Sequence, residues 1–226
     1  MKKISTVVFD LDGTLLDSLQ DLADSTNHVL AQFGYPVHTL DDIRRFVGNG
    51  VKVLMERALP DNLSPSEFEK VFSEFKAYYV DHCIVKTKPY PGIYELLEKL
   101  KANHYKVAIV SNKLQGGVDE LYARFFKDLV QVAVGECPEV KRKPSPDMVY
   151  KALEKLGCTA DEAVYIGDSD VDIATARNSG LPCISVLWGF RDREFLIENG
   201  ATHLVSSPDE ILSLLDGNLL NQSSNE

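Results

Sequence analysis

Cysteine is scarce and unpaired in this sequence: Cys83, Cys137, Cys158 and Cys183 are scattered, with no C-x-x-C spacing among them. Reduced thiols in a cytoplasm fit that pattern best. Long apolar runs are missing too. No stretch approaches the ~18 residues that a spanning helix needs, and the N-terminus lacks the apolar segment of a secretory signal, so no membrane role is expected. Positive charge is in short supply, with 24 Lys and Arg against 34 Asp and Glu and a formal charge of -10. Such a surface repels nucleic-acid backbones and anionic lipid at long range, which argues against both as partners. It repels phosphorylated small molecules as well, so any phosphate site must carry its own local cation. The usual signatures of other catalytic machinery are also absent. There is no Gly-x-Ser-x-Gly elbow and no Gly-Lys-Ser/Thr phosphate loop, and His28, His38, His82, His104 and His203 stand isolated.

What is present is an ordinary globular composition, 44% hydrophobic and 26% charged, over 226 residues. That length exceeds a typical domain of roughly 100–200 residues, so a large core, or a core with a smaller appended domain, is expected. Ile4-Ser5-Thr6-Val7-Val8-Phe9 is a short β-branched run that stops at Asp10-Leu11-Asp12-Gly13; it reads as a buried strand ending in a polar turn. Similar runs recur at 106–110, 129–134, 163–166 and 183–187, each bounded by Gly, Asn, Asp or Pro. Helical patterns fall between them, at roughly 92–103, 115–126, 146–156, 171–179 and 208–215. This alternation predicts an α/β fold, a Rossmann-like parallel sheet with helices on both faces, whose ligands bind beyond the carboxyl ends of the strands.

Residues 17–88 break the rhythm. They hold no convincing strand but several amphipathic helices. One has Leu19, Leu22, Ala23, Leu30 and Phe33 on a shared face before Gly34, and another opens with Ser64, Pro65 and Glu67 as a capping box. The expected organisation is a catalytic core of 1–16 and 89–216, an inserted α-helical cap domain of 17–88, and a flexible polar tail of 217–226.

Polar residues gather where the strands end. Asp10 and Asp12 face one locus if the chain turns at Gly13, which would set a carboxylate nucleophile beside an acid/base group. Asp-x-Asp-Gly is equally a plain turn on backbone grounds. Ser111-Asn112 follows the second core strand, where a hydroxyl and a backbone amide can hold phosphoryl oxygens, although Ser-Asn is also a common helix cap. Lys143, ahead of Pro144-Ser145-Pro146, supplies the required cation, unless it is one more solvated lysine beside Lys141 and Arg142. Gly167-Asp168-Ser169-Asp170-Val171-Asp172 sets three carboxylates where a strand gives way to a helix. They repel one another unless a cation joins them, and Mg2+, which prefers oxygen ligands, is the natural candidate. Helix capping accounts for at least one of the three.

Asp10-x-Asp12, Ser111, Lys143 and Gly167-Asp168, in this order and each beside a strand end, closely resemble the four motifs of the haloacid dehalogenase superfamily of aspartate-nucleophile hydrolases. The resemblance covers nearly the whole chain. Its first motif, Asp-x-Asp-Gly-Thr-Leu-x-Asp-Ser, is highly specific, and a helical insertion directly after it is the family's cap arrangement. The resemblance implies that Asp10 attacks phosphorus, and that Asp12 protonates the leaving oxygen and later draws a proton from water. It implies that Ser111, Asn112 and Lys143 orient and neutralise the transferring group. It further implies Mg2+ held by Asp10, the backbone carbonyl of Asp12, and Asp168, with Thr14 and Asp172 supporting those ligands and Asp17-Ser18 marking the hinge into the cap. Halide-releasing members lack the acid at Asp12, so phosphorus chemistry is expected.

Within the cap, the segment from Arg44 to Lys52 is similar to the phosphoglycolate phosphatases, as are Trp188-Gly189-Phe190 and Asn199-Gly200-Ala201. That similarity implies 2-phosphoglycolate as the substrate, with Asn49, Gly50 and Lys52 as substrate-binding residues. Hydrolysis of pyrophosphate or a nucleotide monophosphate remains an alternative, and a sugar phosphomutase a more remote one, because the cap loop lacks an Arg-rich signature. A monomer or weak dimer acting on a small phosphorylated metabolite is expected.

Overall fold

A computed structural model describes residues 3–216, so the tail expected at 217–226 lies outside the described residues. In chain order, β1 (Thr6–Phe9) and β2 (Leu16–Asp17) precede the helices α1 (Leu19–Gln32), α2 (Leu40–Phe46), α3 (Gly50–Ala58) and α4 (Pro65–His82). There follow β3 (Lys88–Pro89), α5 (Ile93–Ala102), β4 (Lys106–Leu114), α6 (Gln115–Phe125), β5 (Val132–Glu136) and α7 (Asp147–Leu156). The remainder is β6 (Ala163–Gly167), α8 (Asp170–Ser179), β7 (Cys183–Val186), α9 (Arg193–Glu198), β8 (His203–Val205) and α10 (Pro208–Asp216). The chain forms two compact units, Met1–Leu15 with Pro89–Glu226, and Leu16–Lys88.

In the first unit six strands form one sheet in the order β5-β4-β1-β6-β7-β8, every neighbouring pair parallel. Parallel neighbours need crossovers, and the intervening helices supply them. β1 and β6 are buried along their whole length, which explains their unbroken apolar sequence. Val8, Ala108, Val110 and Tyr165 pack with Met148, Val149, Ala152 and Leu153 of α7 and Ala176 of α8. Val7, Phe9, Val107 and Ile109, also buried, point to the opposite face by the alternation of a strand. From β1 the chain steps to β4 and β5 on one side, and from β6 to β7 and β8 on the other. The strand order therefore reverses between β1 and β6, and a crevice opens there at the carboxyl ends.

Several boundaries differ from the sequence reading. β4 runs on to Leu114 because a register shift between Val110 and Leu114 lets it keep its pairing with β5. β5 starts at Val132 and not at 129, since the amides of Leu129 and Val130 donate to the Phe126 carbonyl and extend the turn after α6. Residues 17–88 were expected to hold no strand, yet β2 and β3 pair as a two-stranded ribbon. At two residues each they are too short to show an alternation.

The second unit is helical. α1 packs on α4 and α2, and α3 on α2 and α4. Leu22, Ala23 and Leu30 of α1, Leu54 and Met55 of α3, and Val71, Phe75 and Tyr79 of α4 are buried. The capping box of α4 forms as its sequence suggests: the Glu67 amide donates to Ser64 Oγ at 3.3 Å and the Ser64 amide to Glu67 Oε2 at 2.9 Å. A buried carboxylate, Asp21 on α1, accepts from the amides of Lys86 and Thr87 and from Thr87 Oγ1 at 2.8–2.9 Å. It ties the returning segment to the first helix. Among the described residues no helix is long and apolar enough to cross a membrane, and all four cysteines are free thiols.

Candidate active site

β1 and β6 place two carboxylates side by side in the crevice. The Asp10 amide continues the ladder by donating to the Ile166 carbonyl at 2.8 Å, so Asp10 leaves β1 beside the residues that lead to Asp168. Asp10, Asp168 and Asp172 are buried, and one carboxylate oxygen from each lies within 4.8 Å of the others. Lys143 completes the cluster. Its Nζ stands 2.7 Å from Asp10 Oδ1, 2.8 Å from Asp172 Oδ1 and 3.1 Å from Tyr165 Oη, which uses all three ammonium protons. Lys141 and Arg142 are exposed while the Lys143 side chain is only 4% so, which separates it from the basic run that precedes it.

Local structure explains how each group is held. Asn112 Nδ2 donates to the Lys143 carbonyl at 3.1 Å and the Lys143 amide to Asn112 Oδ1 at 2.8 Å. The Asn112 side chain thus grips the backbone of Lys143 and is not turned toward the carboxylates. Asp172 closes a capping box at the start of α8, its Oδ2 accepting from the amides of Asp168 and Ser169 and, at 2.6 Å, from Ser169 Oγ. One carboxylate therefore caps a helix with one oxygen and holds Lys143 with the other. Asp168 is gripped from two loops, with Thr14 Oγ1 donating to its Oδ1 at 3.2 Å and the Phe190 amide to its Oδ2 at 2.7 Å. Thr14 is itself anchored, for its carbonyl accepts from Trp188 Nε1 at 3.0 Å. Gly13 has φ +90, and a Cβ there would overlap the Asp168 carboxylate, while one at Gly189 would overlap both Asp168 and the Gly13 carbonyl. Only bare backbone fits on either side of Asp168.

Ser111 is buried, and its Oγ accepts from the Lys113 amide at 3.2 Å. Lys113 Nζ lies 3.3 Å from both oxygens of Asp12. Sequence reasoning missed Lys113, Tyr165 and the Phe190 amide. Lys113 shares the side of β4 occupied by Ser111, a relation visible once the strand is carried through to 114. The hydroxyl of Tyr165, inside an otherwise apolar strand, was the one sequence cue to its role. Of the remaining sequence candidates, Asn49, Gly50 and Lys52 lie in the helical unit at the start of α3. There Lys52 Nζ is 3.9 Å from Glu69 and 5.9 Å from the centre of the Phe68 ring.

Burial is the main force on the ionisation of this cluster. It pushes Asp168 up to about 7, with the Asp172 charge adding to the shift. Burial and then Asp172 also drive Asp10 well above the usual carboxylate range, against the pull of Lys143. Burial opposes the charge of Lys143 too, but Asp10 and Asp172 hold its ammonium well above the ordinary lysine value. Three carboxylates cluster where one ammonium pairs with two of them, so carboxylates outnumber cations in a buried site. A cluster of hard oxygen donors with surplus negative charge fits a divalent cation such as Mg2+.

A family model described as haloacid dehalogenase-like hydrolase matches residues 7–186. The chain is 34% identical over 218 residues to the phosphoglycolate phosphatase of Aquifex aeolicus, covering 95% of this chain and 98% of that one. To the phosphoglycolate phosphatase of Mesorhizobium japonicum it is 35% identical over 191 residues, covering 83% and 84%. A crystal structure from Lactobacillus delbrueckii subsp. bulgaricus, provisionally named a phosphoglycolate phosphatase, superposes with a TM-score of 0.91 at 36% identity. That likeness covers 95% of this chain and 99% of the other.

Proposed function

Because this chain belongs to the haloacid dehalogenase-like hydrolases, we propose that it is a Mg2+-dependent phosphatase that hydrolyses 2-phosphoglycolate through an aspartyl-phosphate at Asp10. The observation that carries this reading is the Asp10 carboxylate, buried at the point where the strand order reverses and fixed 2.7 Å from Lys143 Nζ, beside Asp168 and Asp172. An ionised carboxylate needs no base before it attacks. Asp10 displaces the alcohol from phosphorus and becomes an acyl phosphate, while Asp12 gives a proton to the leaving oxygen. Asp12 then takes a proton from the water that cleaves the acyl phosphate, so that one group serves as acid and as base. Ser111 and Lys143 orient the phosphoryl oxygens and offset their charge, which is most of what phosphoryl transfer asks of a protein. Asp10, the Asp12 carbonyl and Asp168 would hold Mg2+, which would supply the positive charge that lets an anionic nucleophile approach an anionic ester. Thr14 and Asp172 keep those ligands in place.

The choice of substrate is supported by the names of the relatives, and Asn49, Gly50 and Lys52 are its proposed contacts in the helical unit, which serves as a cap. The proposed setting is cytoplasmic, where thiols such as the four free cysteines stay reduced. The test is a phosphate-release screen with Mg2+ over 2-phosphoglycolate, pyrophosphate, nucleotide monophosphates and sugar phosphates. Turnover should be fastest with 2-phosphoglycolate. Release from none of these would sink the phosphatase reading, and a clear preference for pyrophosphate or a nucleotide would sink the substrate.

A further inference from the structure

Lys143 is not alone: a second largely buried ammonium faces the reaction centre. Lys113 Nζ straddles Asp12 at 3.3 Å from one oxygen and 3.3 Å from the other, with side-chain exposures of 8% for Lys113 and 20% for Asp12. The two lysines differ in grip. Lys143 sits 2.7 and 2.8 Å from its carboxylates, the separation of strong charge-assisted hydrogen bonds, whereas the Lys113 pair is looser. The stem of Lys113 is nevertheless fixed. Its amide donates to Ser111 Oγ at 3.2 Å, and its Cγ and Cδ pass 3.4 Å from where a Cβ at Gly117, in the first turn of α6, would stand. A firmly placed cation with an exchangeable partner is poised to accept another anion.

We propose that Lys113 is a specificity-determining residue that binds an anionic group carried by the leaving alcohol next to the ester oxygen, and in doing so releases Asp12 toward that oxygen. The inference rests on the reading of Asp12 as the acid that protonates the leaving group. An acid that reaches the ester oxygen, paired with a cation 3.3 Å away, puts that cation beside the first atoms of the leaving group. A carboxylate one carbon from the ester oxygen falls within its reach. One anion then replaces another at the ammonium, so Lys113 keeps a counter-charge while the Asp12 carboxyl is freed for the leaving oxygen. A neutral alcohol offers no such exchange and leaves Asp12 held. The substrate class is accordingly the phosphate esters of 2-hydroxy acids, and esters whose leaving group is neutral near the oxygen are disfavoured.

The test compares 2-phosphoglycolate with 2-hydroxyethyl phosphate, in which a neutral alcohol replaces the carboxylate, and uses p-nitrophenyl phosphate as a general phosphatase substrate. Wild-type protein should favour 2-phosphoglycolate by at least about tenfold in kcat/KM, since a site that pairs with a charged group of the substrate discriminates against the analogue lacking it. Lys113→Met and Lys113→Gln should lose that preference, chiefly through a higher KM for 2-phosphoglycolate, and Lys113→Arg should restore part of it. An undiminished preference in Lys113→Met overturns the inference. One measurement does not depend on how the variants fold: glycolate should inhibit wild-type hydrolysis of p-nitrophenyl phosphate while ethylene glycol at equal concentration does not, and inhibition by neither overturns the inference. Wild-type protein that cleaves p-nitrophenyl phosphate without discriminating the two esters overturns this inference alone. If it cleaves none of the three, the phosphatase reading falls with it.

Discussion

Asp10 and Lys143 are both buried, so each supports the charge of the other, with Asp172 sharing the ammonium. Replacing Asp10 with Asn keeps the shape and a hydrogen-bond acceptor but removes the proposed nucleophile. Asp10→Asn should therefore lower steady phosphate release by at least about 10^4-fold while circular dichroism stays native, as expected when a group that bonds to substrate is deleted. Near wild-type turnover in that variant would end the aspartyl-phosphate mechanism. At this scale the sequence was legible where a residue type had one plausible task. The charge balance called for a local cation, and Lys143 was the candidate at a strand-helix junction. Its burial could not be foreseen beside Lys141 and Arg142, since what distinguishes it is the Asn112 clamp 31 positions earlier in the chain. The clamp of the Asn112 side chain on Lys143 is hidden for the same reason, its partner being remote in sequence.

Helix α8 does two jobs with its first turn. Ser169 Oγ caps the helix by accepting from the Asp172 amide at 3.4 Å, and by donating to Asp172 Oδ2 at 2.6 Å it fixes the carboxylate that grips Lys143. Ser169→Ala should cost about 0.5–2 kcal/mol of stability, the usual range for a lost N-cap, measurable by urea unfolding. It should also slow turnover, whereas Ser64→Ala at the α4 cap should cost similar stability and leave turnover per folded molecule unchanged. Equal activity in both variants would show that the α8 cap is structural only. Capping boxes, long amphipathic helices and the central strands were readable because their signals are local and periodic. β8, α9 and the β2–β3 ribbon were not, for they are three, six and two residues long and their order is supplied by neighbours. The true end of β4 was hidden by its register shift, and Lys113 was hidden with it.

For the molecule as a whole, the buried carboxylates set how stability should respond to pH. Asp168 titrates near 7 in the folded chain and near its ordinary 3.8 when unfolded, so between these values the folded state holds a proton that the unfolded state has lost. A raised acid pKa destabilises at high pH: its cost is absent below the unfolded value and grows as pH rises through the folded one. Metal-free protein should thus melt roughly several degrees higher at pH 5 than at pH 8, and Asp168→Asn should flatten that slope. Mg2+ held by the ionised carboxylates, as proposed, should raise the melting temperature more at pH 8 than at pH 5. An apo protein whose melting temperature rises from pH 5 to pH 8 would contradict this account of the cluster. The chain also contains a single tryptophan, Trp188, and its indole is tied through Thr14 to Asp168. Any cation that draws on Asp168 must disturb the environment of that ring, so the emission of the native protein should change on titration with Mg2+ and stay constant in Asp168→Asn. The protein carries its own fluorophore, so occupancy of the proposed metal site should be readable by light with no substrate and no label.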